Sequence, residues 1–218
     1  MRDFTTPDQV EPVYRRLAHR YDASARILEA LGLGYDEARR DAVAALKLGP
    51  GDTVVEIGCG TGANFPLLEA RIGPSGRIIG VDLTGAMLDE ARKRIKAAGW
   101  SNVELVQCSA KDYVFPVGGV DGVLSTFALT LEPGYDSVIA TIAAALRPGR
   151  RFAIADFKLS HGWRLVLLPF LLVLVRPFAV SLKLASRHPW ESMQRHLRGL
   201  QMTEHVAGYL YVASAQAP

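Results

Sequence analysis

Three glycines at alternate positions, Gly58, Gly60 and Gly62, follow a β-rich run that carries an acid, Val54-Val55-Glu56-Ile57. Cys59 lies inside the glycine turn, and a helix-forming run, Ala63 to Ala70, comes straight after it. Glycines so placed let the backbone turn tightly and let a ligand approach bare main chain. Twenty residues beyond Gly62, a second β-rich run, Arg77-Ile78-Ile79-Gly80-Val81, ends in Asp82. A carboxylate there is suited to accept two hydrogen bonds from a ribose diol. The chemistry this spacing points to is the holding of an adenosine-containing ligand on a strand–turn–helix–strand unit.

Two cofactor classes fit that description. Gly58-x-Gly60-x-x-Ala63 also satisfies the dinucleotide pattern, so the glycines alone do not separate them. A pyrophosphate uses a helix N-terminus as an anion site, whereas S-adenosylmethionine has no phosphate and carries a sulfonium cation. Glu56, two residues before the first glycine, puts a negative charge beside such a ligand. That charge suits an aminoacyl sulfonium and opposes a pyrophosphate.

The elements that must position these residues alternate in kind. Strands are expected at Thr53–Ile57, Arg77–Val81, Val103–Gln107, Val120–Ser125 and Arg151–Ala155, and helices at Ala63–Ala70, Ala86–Ala98 and Ser137–Leu146. Alternation of this sort gives an α/β fold, a doubly wound and mostly parallel sheet covered on both faces. The strands end in Gly58, Asp82, Ser109, Thr126 and Asp156, so one carboxyl edge collects the candidate site. Before the first strand, Pro12 to Asp22 is expected to open a helix at Pro12 that continues through Ala23 to Leu31, with another at Tyr35 to Leu46. Val13, Tyr14, Leu17, Ala18 and Tyr21 fall on one face of the first, and Arg15, Arg16, His19 and Arg20 on the other. A face of that kind either meets an anionic membrane, covers a pocket, or is simply solvated. At the far end, Pro189–Leu197 reads as a helix, and Gln201–Val206 pairs with Tyr209–Ala213 as an antiparallel closing hairpin. The organisation expected is a helical cap over residues 1–48, a ligand-binding core over 49–157, and an apolar, basic helical insertion with the hairpin over 158–218.

Composition sets the outer bounds. A net charge of +3 over 218 residues gives no argument for nucleic acid as a partner. Cys59 and Cys108 have no metal-ligand spacing and read as free thiols in a reducing compartment. The first residues lack an apolar signal core, so a cytoplasmic location is expected. Trp163 to Leu184 is rich in Leu, Val and Phe, yet its longest uncharged run, Leu165–Val175, is eleven residues and contains Pro169. A bilayer-spanning helix needs about 17–25 residues, so a transmembrane assignment is rejected. Apolar bulk beside basic residues suits a peripheral contact with the inner, anionic membrane face, or else an oily cap packed on the core.

The succession Val54–Gly62, Gly80-Val81-Asp82-Leu83-Thr84, Val106-Gln107-Cys108-Ser109-Ala110, Asp121-Gly122-Val123-Leu124 and Leu146-Arg147-Pro148-Gly149-Arg150 resembles the motif series of class I S-adenosylmethionine-dependent methyltransferases. Leu17-Ala18-His19-Arg20-Tyr21-Asp22 narrows the likeness to the ubiquinone/menaquinone C-methyltransferases and the bacterial phospholipid N-methyltransferases. The resemblance implies a seven-stranded Rossmann-like sheet and S-adenosylmethionine as cofactor. It implies that Gly58, Cys59, Gly60 and Gly62 pass under the methionine portion and that Glu56 supports its ammonium. Asp82 would hold the ribose, Leu83 and Met87 would flank the adenine, and Ala110 would offer its N–H to the base. Thr126 would lie near the methyl donor and Tyr21 would close over it. Ser109 departs from the pattern, which has Asp or Asn there to meet the adenine amino group. The implied activity is methyl transfer to a lipid-like or apolar acceptor, a headgroup amine or an isoprenoid quinol. A soluble acceptor, or a non-catalytic cofactor-binding partner protein, are the alternatives. No residue stands out as catalytic. His19 and His188 are candidate bases for a quinol, Tyr21 suits the lining of a pocket equally well, and Asp156 reads equally as the polar end of a strand.

Overall fold

Val54 and Val55 point to opposite sides of one strand, and both are fully buried. Such a strand must lie inside a sheet with apolar layers on each face. The computed structural model, which describes residues 7–159, 184 and 186–218, shows that arrangement. Its seven strands are β1 (Thr53–Ile57), β2 (Arg77–Asp82), β3 (Val103–Gln107), β4 (Val120–Thr126), β5 (Leu146–Phe157), β6 (Arg198–His205) and β7 (Leu210–Gln216). They lie in the order β3-β2-β1-β4-β5-β7-β6. The first five run parallel, and β7 inserts antiparallel between β5 and β6. The order reverses between β1 and β4, and that switch point opens a crevice at the carboxyl edge.

Among the described residues six α-helices cover the sheet: α1 (Pro7–Ala30), α2 (Tyr35–Ala45), α3 (Phe65–Ile72), α4 (Gly85–Ala98), α5 (Tyr135–Ala145) and α6 (Pro189–His196). On one face Val54, Ile78, Leu124, Ala153 and Val212 pack with Ala42 of α2, Phe65 and Leu68 of α3 and Leu88 of α4. On the other face Val55, Ile57, Val123, Phe152 and Tyr211 pack with Ile139 and Ile142 of α5 and Met193 of α6. The amino ends of the strands are fastened by charge. Asp121 accepts Thr53 N–H at 2.9 Å and Arg147 at 2.6 Å, and Arg150 bonds Asp52 through both nitrogens at 3.0 and 3.1 Å. Burial pushes the Asp121 carboxyl up, but the Thr53 N–H and the two arginines outweigh it and hold it below the usual carboxylate value.

Several boundaries differ from the sequence reading. The first helix does not open at Pro12: α1 begins at Pro7 with Pro12 inside it. There proline loses the bond to the carbonyl of residue 8 and its ring crowds that carbonyl, a cost that the apolar face of α1 outweighs. The strand expected from Arg151 begins at Leu146, because Leu146 pairs with Val120 before the register shifts and Gly149, at φ 75°, redirects the chain. The third helix starts at Phe65 rather than Ala63, since Thr61 to Asn64 is still turn. The hairpin forms with a longer open end, reaching Arg198 and Gln216, while its turn is one residue wider on each side, with His205 opposite Leu210. The apolar stretch expected over Trp163 to Leu184 lies, but for Leu184, outside the described residues.

Candidate active site

The glycine turn leaves β1 in a left-handed conformation, with φ of 72°, 54° and 72° at Gly58, Gly60 and Gly62. At Gly58 a second constraint acts, because a Cβ there would stand 2.2 Å from the Ala128 Cβ. The turn is tied to β2, with Gly58 N–H and Cys59 N–H donating to Val81 O at 2.8 and 3.0 Å. Gly60 N–H donates to Asp82 Oδ2 and Thr84 N–H to Asp82 Oδ1, both at 2.8 Å. Asp82 therefore shapes the turn as well as facing the crevice. Burial raises its carboxyl pKa, and the two N–H groups and the Thr84 hydroxyl oppose that rise.

A cavity with about 810 Å³ of empty space, part of it open to solvent, crosses the carboxyl ends of β4, β1, β2 and β3. Of the residues named from the sequence, Tyr21, Gly58, Gly60, Asp82, Leu83, Met87, Ser109, Ala110 and Thr126 all line it. Glu56, Cys59 and Gly62 do not line it. Cys59 is buried, and its burial pushes the thiol pKa well up, so it stays a packed thiol against the Gly80 face. Sequence reasoning missed Glu11, Tyr14, Thr84, Cys108, Phe127, Leu131 and Glu132 in the wall. Thr84 adjoins Asp82, which was a signal within reach; the loop after β4 carried none, because its shape depends on Phe127 adopting φ 56°. Phe127 holds that conformation inside a ring cluster, 4.8 Å from Tyr35 and 5.4 Å from Phe157, with the Arg39 guanidinium 5.5 Å from its centroid.

Glu56 sits beneath the turn rather than beside the cavity. Its carboxyl is 1% exposed and accepts Asn64 Nδ2–H at 2.6 Å, while its second oxygen has no partner among the described residues. The same Asn64 amide donates to Thr126 Oγ1 at 2.9 Å, so one side chain joins the ends of β1 and β4. Burial pushes the Glu56 pKa up to about 8, with the Asn64 bond and Arg39 and Arg94 opposing and Asp82 adding to the rise. Burial thus favours the neutral form of this carboxyl over the charged one.

α1 closes the cavity from above. Asp22 accepts Thr61 Oγ1–H at 2.6 Å and pairs with Arg94, which also donates to Thr61 O at 3.0 Å. That clamp joins α1 to the glycine turn and to α4, and sets Tyr14 and Tyr21, 6.0 Å apart, over the opening. The two histidines considered as bases are elsewhere. His19 Nδ1 meets Glu90 at 2.6 Å on the outer side of α1, and His188 meets Glu191 at 2.9 Å and stacks on Trp190. Asp156 is also off the cavity, its oxygens taken by Thr130 Oγ1–H and Phe157 N–H, each at 2.8 Å. Burial raises its pKa to about 6, against those same bonds.

Residues 54–149 match a family model described as a methyltransferase domain. The chain is 31% identical over 121 residues to the demethylmenaquinone methyltransferase of Symbiobacterium thermophilum, covering 55% of this chain and 47% of that protein. It is 27% identical over 132 residues to the corresponding protein of Listeria welshimeri, covering 60% and 55%. The chain thus spans about half the length of the curated relatives it matches. Among solved structures, an Aquifex aeolicus methyltransferase superposes with a TM-score of 0.63 at 18% identity, over 83% of this chain and 89% of that one. A Haemonchus contortus phosphoethanolamine N-methyltransferase superposes with 0.63 at 16%, over 82% and 52%. Sheet order and glycine turn agree with what residues 54–149 match, a methyltransferase domain.

Proposed function

We propose that this chain binds S-adenosylmethionine in the cavity and transfers its methyl group to an apolar, lipid-like acceptor. One observation carries the choice of cofactor: the described cavity wall holds three carboxylates, Glu11, Asp82 and Glu132, and no Lys or Arg. Such a wall attracts a sulfonium and repels a pyrophosphate. The residues fit the nucleoside as well. A carboxylate has about four acceptor positions, so Asp82, with two taken by backbone N–H groups, can still take both hydrogens of a ribose diol. Leu83 and Met87 offer an apolar surface to a base, and Gly58 and Gly60 leave bare main chain where the aminoacyl end would pass. When bound, the cofactor supplies an electrophilic methyl group on sulfur. The chain's own part is alignment, which can be worth about 7–11 kcal/mol. Tyr14 and Tyr21 from α1, and Thr126 and Phe127 from the β4 loop, would set that alignment and exclude water.

The lipid-like acceptor is supported by two kinds of observation. Relatives and neighbours are named for demethylmenaquinone, phosphoethanolamine and geranyl diphosphate, two of them isoprenoid compounds. The outer surface of α1 also carries exposed Arg16 and Arg20, and Ile27 and Leu31 near its end are 62% and 60% exposed. Cations beside exposed aliphatic groups suit contact with an anionic bilayer. Among the described residues no helix is long and apolar enough to cross one. The test is incubation with methyl-labelled cofactor and a total lipid extract, followed by mass spectrometry. Label in the lipid fraction is expected. Label confined to water-soluble products would replace the lipid acceptor with a soluble one. Cofactor binding without label in any fraction would overturn the catalytic reading.

A further inference from the structure

We propose that Glu132 makes the cofactor cavity selective for a 6-amino purine, acting with Ser109 as a pair of hydrogen-bond acceptors for the exocyclic amine. The proposal rests on the cofactor assignment and extends it to the base. In sheet order the cavity runs from the loop after β4, past Gly58 and Gly60 after β1 and Asp82 after β2, to Cys108, Ser109 and Ala110 after β3. A nucleoside with its ribose on Asp82 and its aminoacyl end over the glycine turn has its base at the Ser109 end. Adenine presents an N–H donor at its 6-position, and hypoxanthine presents an oxygen acceptor.

Two polar side chains at that end answer the donor. Ser109 Oγ–H donates to Glu132 Oε2 at 3.3 Å, which commits the serine proton and leaves its oxygen as an acceptor. Glu132 Oε1 takes Gly134 N–H at 3.2 Å, and the carboxylate keeps unused lone pairs. Its backbone is fixed by Glu132 N–H to Leu129 O at 3.1 Å and Tyr135 N–H to Glu132 O at 3.2 Å, and the residue is 8% exposed. The acidic acceptor at the Ser109 end thus comes from the loop after β4. Against this acceptor pair a 6-oxo purine would bring oxygen to oxygen.

The test is calorimetric titration of the full chain with S-adenosylhomocysteine and with S-inosylhomocysteine. The wild type is expected to prefer the adenosyl ligand by about 10- to 100-fold, the range of one charge-assisted bond. Glu132→Gln offers both a carbonyl and an amine, so the preference should fall by about tenfold from the wild type's, with the inosyl ligand gaining affinity; any remainder reflects N1, an acceptor in adenine and an N–H donor in hypoxanthine. Glu132→Asp keeps the charge and should keep the sign of the preference while weakening both ligands. Thermal melts establish that each variant is folded, and Glu132→Asp alone carries the test if Glu132→Gln does not fold: loss of the adenosyl preference in it counts against the proposal. Equal weakening of both ligands in Glu132→Gln would mean that Glu132 only braces its loop, and would overturn the inference. A wild type that binds S-adenosylhomocysteine without preferring it would do the same. Binding of neither ligand would overturn the cofactor reading itself, a distinguishable failure.

Discussion

Replacing Asp82 by Ala removes the acceptor that the glycine turn and the proposed ribose share. Two diol hydrogen bonds to a charged oxygen are worth about 1.5–3 kcal/mol each. Their loss sums to about 3–6 kcal/mol, or roughly 10²- to 10⁴-fold in cofactor affinity. The effect on the empty protein is smaller, because two opposing contributions meet. Gly60 N–H and Thr84 N–H lose their acceptor, each at about 1–3 kcal/mol if left unsatisfied. Removal of a half-buried carboxylate whose pKa is raised by burial offsets part of that. Asp82→Asn retains one oxygen and should fall between, at about tenfold weaker binding. The assay is titration calorimetry with S-adenosylhomocysteine, beside thermal melts of each ligand-free variant. Affinity in Asp82→Ala within about threefold of wild type, below what one ordinary hydrogen bond is worth, in a protein that melts normally, would refute the ribose assignment.

Four other outcomes are expected. Gly58→Ala places a methyl 2.2 Å from Ala128 at a φ of 72°, and should destabilise the fold by about 2–4 kcal/mol in urea unfolding; a loss under about 1 kcal/mol would show that the β4 loop gives way. Asn64→Ala leaves the buried Glu56 carboxyl without its amide and should destabilise by about 1–3 kcal/mol by the same measurement. Glu56 has a raised pKa, so its contribution to stability is full below the usual carboxylate value and is lost as pH rises toward about 8. Unfolding midpoints from pH 5 to 9 should therefore show Glu56→Gln gaining on the wild type as pH rises, and parallel curves would contradict the buried carboxyl. Arg94→Ala releases a partly exposed pair with Asp22, worth about 1 kcal/mol, so cofactor dissociation in stopped flow should quicken by about fivefold; an unchanged rate would mean that α1 does not gate the cavity.

Much of this fold is written locally. β1 and β3 have the limits that their β-branched runs define, and Gly99 ends α4 where a glycine in the left-handed region is expected to end a helix. Asp82 is legible for the same reason, since a strand–turn–helix pattern fixes the role of an acid at the tip of the second strand. The parts that are not legible depend on contacts between distant segments. Asn64 reads as an ordinary helix-flanking residue, and only the fold brings Thr126, sixty-two positions away, to its amide. Glu132 lies in a loop whose path is set by a left-handed Phe127, which no propensity suggests. Glu56 is legible as an acid at the end of β1, but its depth below the surface, and hence its raised pKa, arises from packing. Pro12 misleads because its cost depends on how far upstream the helix extends, and that is settled by the apolar face of α1.

The placement of β7 between β5 and β6 bears on how the chain reaches this state. β5 finds its second neighbour only after the segment up to residue 210 has been brought back, so this pairing closes a long loop. In the interval, five parallel strands stand with one flank of unbonded peptide groups, apolar on both sides. A half-built sheet of that kind is a template for strands of other molecules. Yield on refolding should accordingly depend on protein concentration more steeply than the finished structure, whose flanking strand β6 is largely exposed and polar, would suggest.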